Sequence, residues 1–422
     1  MNQGSFLERY GRLLLIGIAV LLVVAGAAWH LLFYEMRVTV TTSPASATVT
    51  IDGVDVTGQK NVKLKPGSHD VKVLLADFVP FDQTIKASSN KYVTMPVALN
   101  TMPHLQMISS GNDTALSYDA TSNQLYYINH TANDAERVTL TTSQAPTGVV
   151  SSLPKPQVLT PSTLTSVDSW IWSPDHQLGL VQHGGNWSLY DFARFNLVDQ
   201  QQTDWPTGIG SVSWNPTDTT QLAYYFEPGT GEQTLIRTNP LHQTADRLLN
   251  FRDSGISTPV VRWVGDGSDI VLQSKEGRLW RFVVYSKALT PITQSENVAD
   301  ALPSPDGKTI LVRETSGSLF LIGIDGKNKQ ALTFQAPLAQ VAWQQDSAAF
   351  WVVTSASGSL SISKYDTATN TSTAYGLATS ETVGAVSGVV ITKDQSTLVL
   401  TGASGLALVS VVPTQYQAVT LK

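Results

Sequence analysis

Cysteine is absent from all 422 residues, which excludes disulfides, thiol catalysis and Cys-ligated zinc or iron–sulfur centres. Charge is scarce too: Asp, Glu, Lys and Arg make up 14% of the chain, against about 25% in soluble domains generally. The surface must therefore be built largely from Ser, Thr, Asn and Gln, which suits exposed β-rich folds better than a helical enzyme. The net charge of -6 offers no general attraction to phosphate backbones, so nucleic acid is not an expected partner.

One apolar run stands apart from this composition. Leu13 to Tyr34 carries His30 as its only commonly ionisable side chain, and as a helix it would be about 30 Å long, enough for a hydrocarbon core. Ala25 to Ala28 include the small residues of a signal-peptide cleavage site, but the apolar run continues past them, so the expectation is an uncleaved single-pass transmembrane helix at 13–34. Arg9 and Arg12 outweigh Glu8 ahead of it. That bias makes residues 1–12 a cytoplasmic stub and places everything after Tyr34 outside the cell membrane, extracellular or periplasmic.

Residues 38–100 read as a small antiparallel β domain. Ala47, Val49 and Ile51 alternate with Thr48 and Thr50, and Asp52-Gly53 supplies a hairpin turn. Val62 and Leu64 alternate with Lys63 and Lys65 before Pro66-Gly67 reverses the chain, and Tyr92 to Val97 closes the unit. Pro44, Ala47, the Ile51-Asp52-Gly53 turn, Gly58, the Leu64-Lys65-Pro66-Gly67 run with His69, and Phe78 with Pro80 resemble a PEGA domain, a β module found beside bacterial membrane anchors. Ser46 and Asp77 stand where that pattern has glycine. His69 has no second ligand at metal-like spacing and reads as structural. Lys60, Lys63, Lys65 and Lys72 are the residues for contact with an anionic envelope polymer.

From residue 104 to 422 one phrase recurs. It appears at Trp172-Ser173-Pro174-Asp175, Trp214-Asn215-Pro216-Thr217, Trp263-Val264-Gly265-Asp266, Pro303-Ser304-Pro305-Asp306, Trp343-Gln344-Gln345-Asp346 and Ile391-Thr392-Lys393-Asp394, at separations of 42, 49, 40, 40 and 48 residues. Each copy is followed by an apolar strand, a glycine-containing turn and a second strand, as in TILVRETSGSLFLIGI at 309–324. Periods of this length with four strands per unit predict a β-propeller of seven blades, with six plus an embellishment as the alternative count. The acidic residue and glycine of Ser304-Pro305-Asp306-Gly307 are explained by turn chemistry, and Trp172, Trp214, Trp263 and Trp343 by packing between blades. A strand within His104–Ser110 is expected to return to the last blade. The phrase, with Ala288-Leu289-Thr290 and Ala331-Leu332-Thr333 as endings, resembles TolB-like or WD-type propellers. Glycine is missing at Asp175-His176.

No reaction centre emerges. His176 and His183, with Asp175 or Asp191, form no HExxH or facial triad, no Gly-x-Ser-x-Gly elbow precedes a helix, and Asp325-Gly326-Lys327 lacks the later ligands of a calcium loop. Neither cofactor nor metal is expected. The fold class is therefore all-β: transmembrane helix, PEGA-like domain and propeller. The expected function is a non-enzymatic, membrane-anchored binding scaffold that engages a protein or envelope component through Trp187, Tyr190, Trp205 and Tyr225. The alternatives are an extracytoplasmic hydrolase or lyase acting on envelope glycans or peptides, and a structural subunit of a surface assembly.

Overall fold

The computed structural model describes residues 11, 14–26, 35–87, 91–102, 104–140, 154–160, 164, 167–192, 202–229, 231–356, 359–375 and 383–411. The chain divides into two compact units, one within Met1–Met102 and one at Pro103–Pro413.

In the first unit, alternation sets which side of each strand is buried. Phe81–Ala87 buries Phe81, Ile85 and Ala87, and Tyr92–Ala98 buries Val93, Met95 and Val97. Val54–Asp55, Thr48–Ile51, Gly67–Leu74 and Phe81–Ala87 form one antiparallel sheet in that order. A second sheet has Met36–Ser43 at its centre, antiparallel to Val62–Leu64 and parallel to Tyr92–Ala98. The parallel pair departs from the wholly antiparallel unit that the turns suggested. The two strands lie at opposite ends of the domain sequence, and the hairpins between them supply the crossover that parallel pairing needs. Val38, Val49, Ile51, Val71, Val73 and Met95 are core residues shared by the two sheets.

The second unit contains seven four-stranded antiparallel sheets among the described residues. Six are formed by consecutive strands: the first runs from Asp113 to Val158, the second from Ser169 to Asp204, the third from Ile209 to Asn250, the fourth from Val260 to Pro291, the fifth from Val298 to Ala331 and the sixth from Val341 to Tyr375. The seventh takes Val386–Ile391, Thr397–Gly402 and Gly405–Ser410 and borrows Leu105–Met107 as its fourth strand. Each sheet shares an apolar cluster with the next. Leu180 and Trp187 of the second meet Trp214 and Tyr224 of the third, and Leu125 and Tyr127 of the first meet Val399 and Leu406 of the seventh. Burial on both faces explains why the middle strands are almost continuously apolar. Of the repeated tryptophans, Trp172, Trp214 and Trp263 are buried, and the partly buried Trp343 packs on the cluster between the fifth and sixth sheets.

Two parts of the fold expectation are corrected. Among the described residues no helix is long and apolar enough to cross a membrane. Within the apolar run residues 14–26 are described and are helical; the remainder of the 13–34 expectation lies outside the described residues. The single-pass anchor, the membrane as partner through that segment and the topology with a cytoplasmic N-terminus are withdrawn with it. In addition, among the described residues no sheet closes on itself. The seven sheets stay separate and meet through side chains, and what stands is an all-β region of very low helix content, with one-turn elements such as Phe251–Ser254.

Candidate functional site

The recurring turns determine how the sheets meet. In the fifth sheet Ser304 Oγ donates to Asp306 Oδ1 at 2.6 Å, that oxygen accepts the Lys308 N–H at 3.1 Å, and Ser304 Oγ accepts the Thr309 N–H at 3.1 Å. Ser173, Asp175, Gln177 and Leu178 repeat this pattern in the second sheet at 2.6, 3.1 and 3.0 Å. Thr392, Asp394, Ser396 and Thr397 repeat it in the seventh at 2.7, 3.1 and 3.1 Å. The repeated aspartates are therefore engaged in ordering turns, as expected of Asx geometry.

The residue after the aspartate is left-handed in five of these turns: His176 (φ 56), Gly267 (φ 85), Gly307 (φ 70), Ser347 (φ 60) and Gln395 (φ 59). Each faces the preceding sheet. Gly307 lies so close that an added Cβ would be 2.7 Å from Gly265 Cα. Where the residue is not glycine, its side chain makes the connection: the Ser347 hydroxyl accepts the Asp306 N–H at 3.1 Å, Gln395 Oε1 accepts from Gln344 Nε2 at 2.7 Å, and His176 Nε2 lies 2.8 Å from Ser117 Oγ. The glycine missing from the sequence pattern at 176 thus marks a different way of joining two sheets.

His176 differs from the other four in carrying a ring. It stacks on Tyr126 at 4.2 Å between centroids and 17° between planes, in a group of rings that includes Trp170, Trp172, Tyr190 and Phe192. Trp172 is fixed by donating Nε1–H to the Ala115 carbonyl at 2.7 Å. Burial pushes the His176 pKa down against the opposing charges of Asp119 and Asp175, which favours a neutral ring. Beside it opens a cleft of about 200 Å³ lined by Tyr126, Arg137, Gln157, His176, Gln177 and Phe192 among others. Arg137 is the cation in this lining, oriented by an Nη2–H bond to Gln157 Oε1 at 2.6 Å. Among the described residues the lining contains no carboxylate. Such a wall can take an apolar or aromatic group by stacking and a carboxylate or carbonyl at its rim.

Other openings offer less. A trough of about 470 Å³ beside Ala245–Asn250 is lined by Glu232, Arg247 and Arg252, and Arg247 is already paired with Glu232 at 2.9 Å. A cavity of about 180 Å³ lies at the turns of the sixth and seventh sheets, between Gln344, Asp346, Lys393 and Gln395. Among the described residues no group of three or more His, Asp or Glu is placed to hold a metal. His176 lies in the turn before Leu178–His183 and His183 ends that strand, whose six residues extend about 17 Å, so the histidine pair considered from sequence is not assembled.

The aromatic residues named from sequence occupy different surroundings. Trp187, Trp205 and Tyr225 are 4%, 5% and 2% exposed, inside the sheet–sheet clusters rather than on a rim. Trp205 looked accessible beside Pro206, but its backbone N–H bonds the Trp187 carbonyl at 2.8 Å, and its ring lies 5.9 Å from Tyr224 and 5.6 Å from His242. Tyr225 donates to Glu227 at 2.7 Å, and burial, with that carboxylate, pushes its pKa up to about 12. Tyr190 is half-buried beside Trp170 and Phe192, next to the cleft. In the first unit, Lys60, Lys63, Lys65 and Lys72 are all exposed. Lys63 pairs with Glu35 at 3.1 Å and Lys72 with Asp82 at 2.9 Å, on different sheets. The sequence named neither Tyr126, Arg137 nor Phe192 for this site. The one available signal was His176, a ring at a position that elsewhere holds glycine, serine or glutamine.

Residues 35–102 match the PEGA domain. No curated protein matches the chain. Among solved structures it is similar to the β-propeller domain of Myceliophteria thermophila Cps50 (Swd1), at a TM-score of 0.50 and 12% identity over 73% of this chain and 98% of that one. It is also similar to the C-terminal WD40 domain of Sif2, at a TM-score of 0.47 and 14% identity over 74% of this chain and 99% of that one. The first likeness concerns fold alone, and the second carries no weight. The chain thus joins a segment that matches the PEGA domain to a region similar in fold to a β-propeller domain.

Proposed function

We propose that the second unit is a non-enzymatic protein-binding scaffold, and that the cleft beside His176 receives one anchoring side chain of a partner polypeptide. The observation that carries this reading is the His176 ring stacked on Tyr126 at a turn position otherwise occupied by glycine or a small or polar side chain. The cleft, at about 200 Å³, is smaller than the roughly 300–1,000 Å³ of pockets that take drug-sized molecules. Its size therefore suits a side chain. Arg137 favours a partner segment bearing a carboxylate next to the anchor. Tyr190 supports the cleft from its flank, while Trp187, Trp205 and Tyr225 act as internal packing. In the first unit Lys60 and Lys65 are the cations through which an anionic polymer would be met. Boundaries at 38–100 and 104–422 define the proposed domains, and the Pro-Asp-Gly-Lys turn at 305–308 favours a TolB-like variant of the propeller.

Quantitative affinity capture from extracts of the source cells tests this. Full-length protein, Arg137→Glu and Phe192→Ala are compared at matched melting temperature. Loss of the same captured protein by both variants is expected; equal capture by all three would overturn the reading.

A further inference from the structure

The first unit contains a histidine whose surroundings specify its protonation state. His69 Nδ1 lies 2.6 Å from Asp52 Oδ2, and Nε2 lies 2.8 Å from the Lys65 carbonyl oxygen. Both neighbours are acceptors only. A neutral imidazole has one N–H, so in this arrangement one ring lone pair would face either a carboxylate or a carbonyl oxygen. Satisfying both contacts requires the imidazolium. The ring is largely enclosed, with 14% of its side-chain surface exposed.

The contacts also bridge separate parts of the sheet. Asp52 (φ 51) and Gly53 (φ 78) are the two left-handed residues of the hairpin turn between Thr48–Ile51 and Val54–Asp55, the geometry for which Asp-Gly is favoured. Asp52 Oδ1 also accepts the Asp70 N–H at 2.9 Å, and Asp52 N–H bonds the Asp70 carbonyl at 2.9 Å. Lys65 precedes the Pro66-Gly67 reversal.

We propose that His69 is held as an imidazolium and acts as a proton-dependent staple tying the Asp52-Gly53 turn to the Lys65–Gly67 turn. Above its titration midpoint one of the two hydrogen bonds must break, and the turns come apart locally while the two sheets remain packed.

The charges around the ring agree with this. On its own strand stands Asp70, whose carboxylate accepts the Thr84 hydroxyl at 2.7 Å. Across the sheet, Ile85 is opposite His69 and Lys86 opposite Ser68, while Asp82 and Lys72 pair with each other further along. The exposed Lys65 contributes its carbonyl. Burial alone would lower the His69 pKa, but the hydrogen bonds to Asp52 and the Lys65 carbonyl, with the charges of Asp52 and Asp70, raise it overall. Asp52 is held below the usual carboxylate range, chiefly by its bond to His69. A histidine raised on folding contributes stability that is fully present below its ordinary titration range and lost as pH rises through the folded value.

The test is a pH series on full-length protein labelled with ¹⁵N-histidine, the His69 signals being assigned by their loss in His69→Gln. Should that variant not fold, assignment rests on the signals that move in Asp52→Asn. The expected result is both ring nitrogens protonated at a pH where a free imidazole side chain is already neutral, and a midpoint that falls in Asp52→Asn. Exchange of the Asp70 amide should accelerate at least about tenfold above the midpoint, beyond the intrinsic effect of pH. A single neutral tautomer at pH 6, or a midpoint unmoved in Asp52→Asn, would overturn the proposal.

Discussion

The turns at 173–176 and 304–307 share their hydrogen bonds to within 0.1 Å and differ in their fourth residue. At Gly307 two backbones touch, and a side chain is sterically excluded. At His176 a ring takes the same left-handed position and forms part of a cleft wall. A single turn chemistry therefore accompanies a tight seam at Gly307 and a cleft at His176, the left-handed residue being a glycine in one and a ring in the other. The opening carries a backbone cost of roughly 1–2 kcal/mol, which the stack on Tyr126 and the Ser117 contact offset.

The largest expected effect breaks the seam. Gly307→Ala places a Cβ 2.7 Å from Gly265 Cα and 2.8 Å from Gly265 N, both backbone atoms that cannot rotate away, at φ 70. A loss of about 3 kcal/mol in urea unfolding is expected. A loss under 1 kcal/mol would mean that the seam is looser than these distances.

The next effect concerns the first and seventh sheets, which are joined by a buried acid instead. Asp113 is fully buried; the Ser109 hydroxyl donates to it and accepts the Leu406 N–H at 3.0 Å. Burial raises the Asp113 pKa to about 6, helped by the charge of Glu136 and opposed by the Ser109 and Leu406 bonds. Because the folded value is the higher one, the protonated acid favours the fold. Its contribution is complete below the ordinary carboxylate range and is lost as pH rises through 6. Unfolding free energy should fall by about 1–2 kcal/mol between pH 4 and pH 7 from this group, after allowance for solvent screening. In Asp113→Asn that part of the pH dependence should vanish; an unchanged profile would count against it.

The smallest effects sharpen the comparison at its centre. Ser347→Gly relieves a left-handed residue by about 1 kcal/mol and removes a hydrogen bond to the Asp306 N–H of similar worth, so its stability should be nearly unchanged. His176→Gly gains the same relief but leaves Tyr126 without its stacked partner. It should be about 1 kcal/mol less stable in the same assay, and equal behaviour of the two variants would show the ring to be dispensable for packing.

Much of the fold was legible because turns and alternation are local. Asp52-Gly53, the Ser-Pro-Asp phrase and the paired apolar strands could each be read from a few neighbouring residues, as could the strand at Leu105–Met107. The parallel pairing of Met36–Ser43 with Tyr92–Ala98 was not legible, since it joins segments some fifty residues apart. Trp205 misled because polar neighbours in sequence say nothing of a ring folded against Tyr224 and His242. The apolar run predicted a membrane helix from hydropathy and length, and among the described residues no helix is long and apolar enough to cross a membrane. At the cleft, Tyr126, Arg137, His176 and Phe192 come from two sheets, and a repeat read copy by copy cannot show what two copies build together.

The most direct test places a photo-crosslinking residue at Gln177 in one protein and at Lys308 in another, the equivalent exposed positions of the two turns. A discrete covalent adduct with a partner polypeptide should form from position 177, disappear when Arg137→Glu is added, and be absent from position 308. Equal adducts at both positions, or one at 177 that persists with Arg137→Glu, would contradict the assignment of the cleft as the binding site.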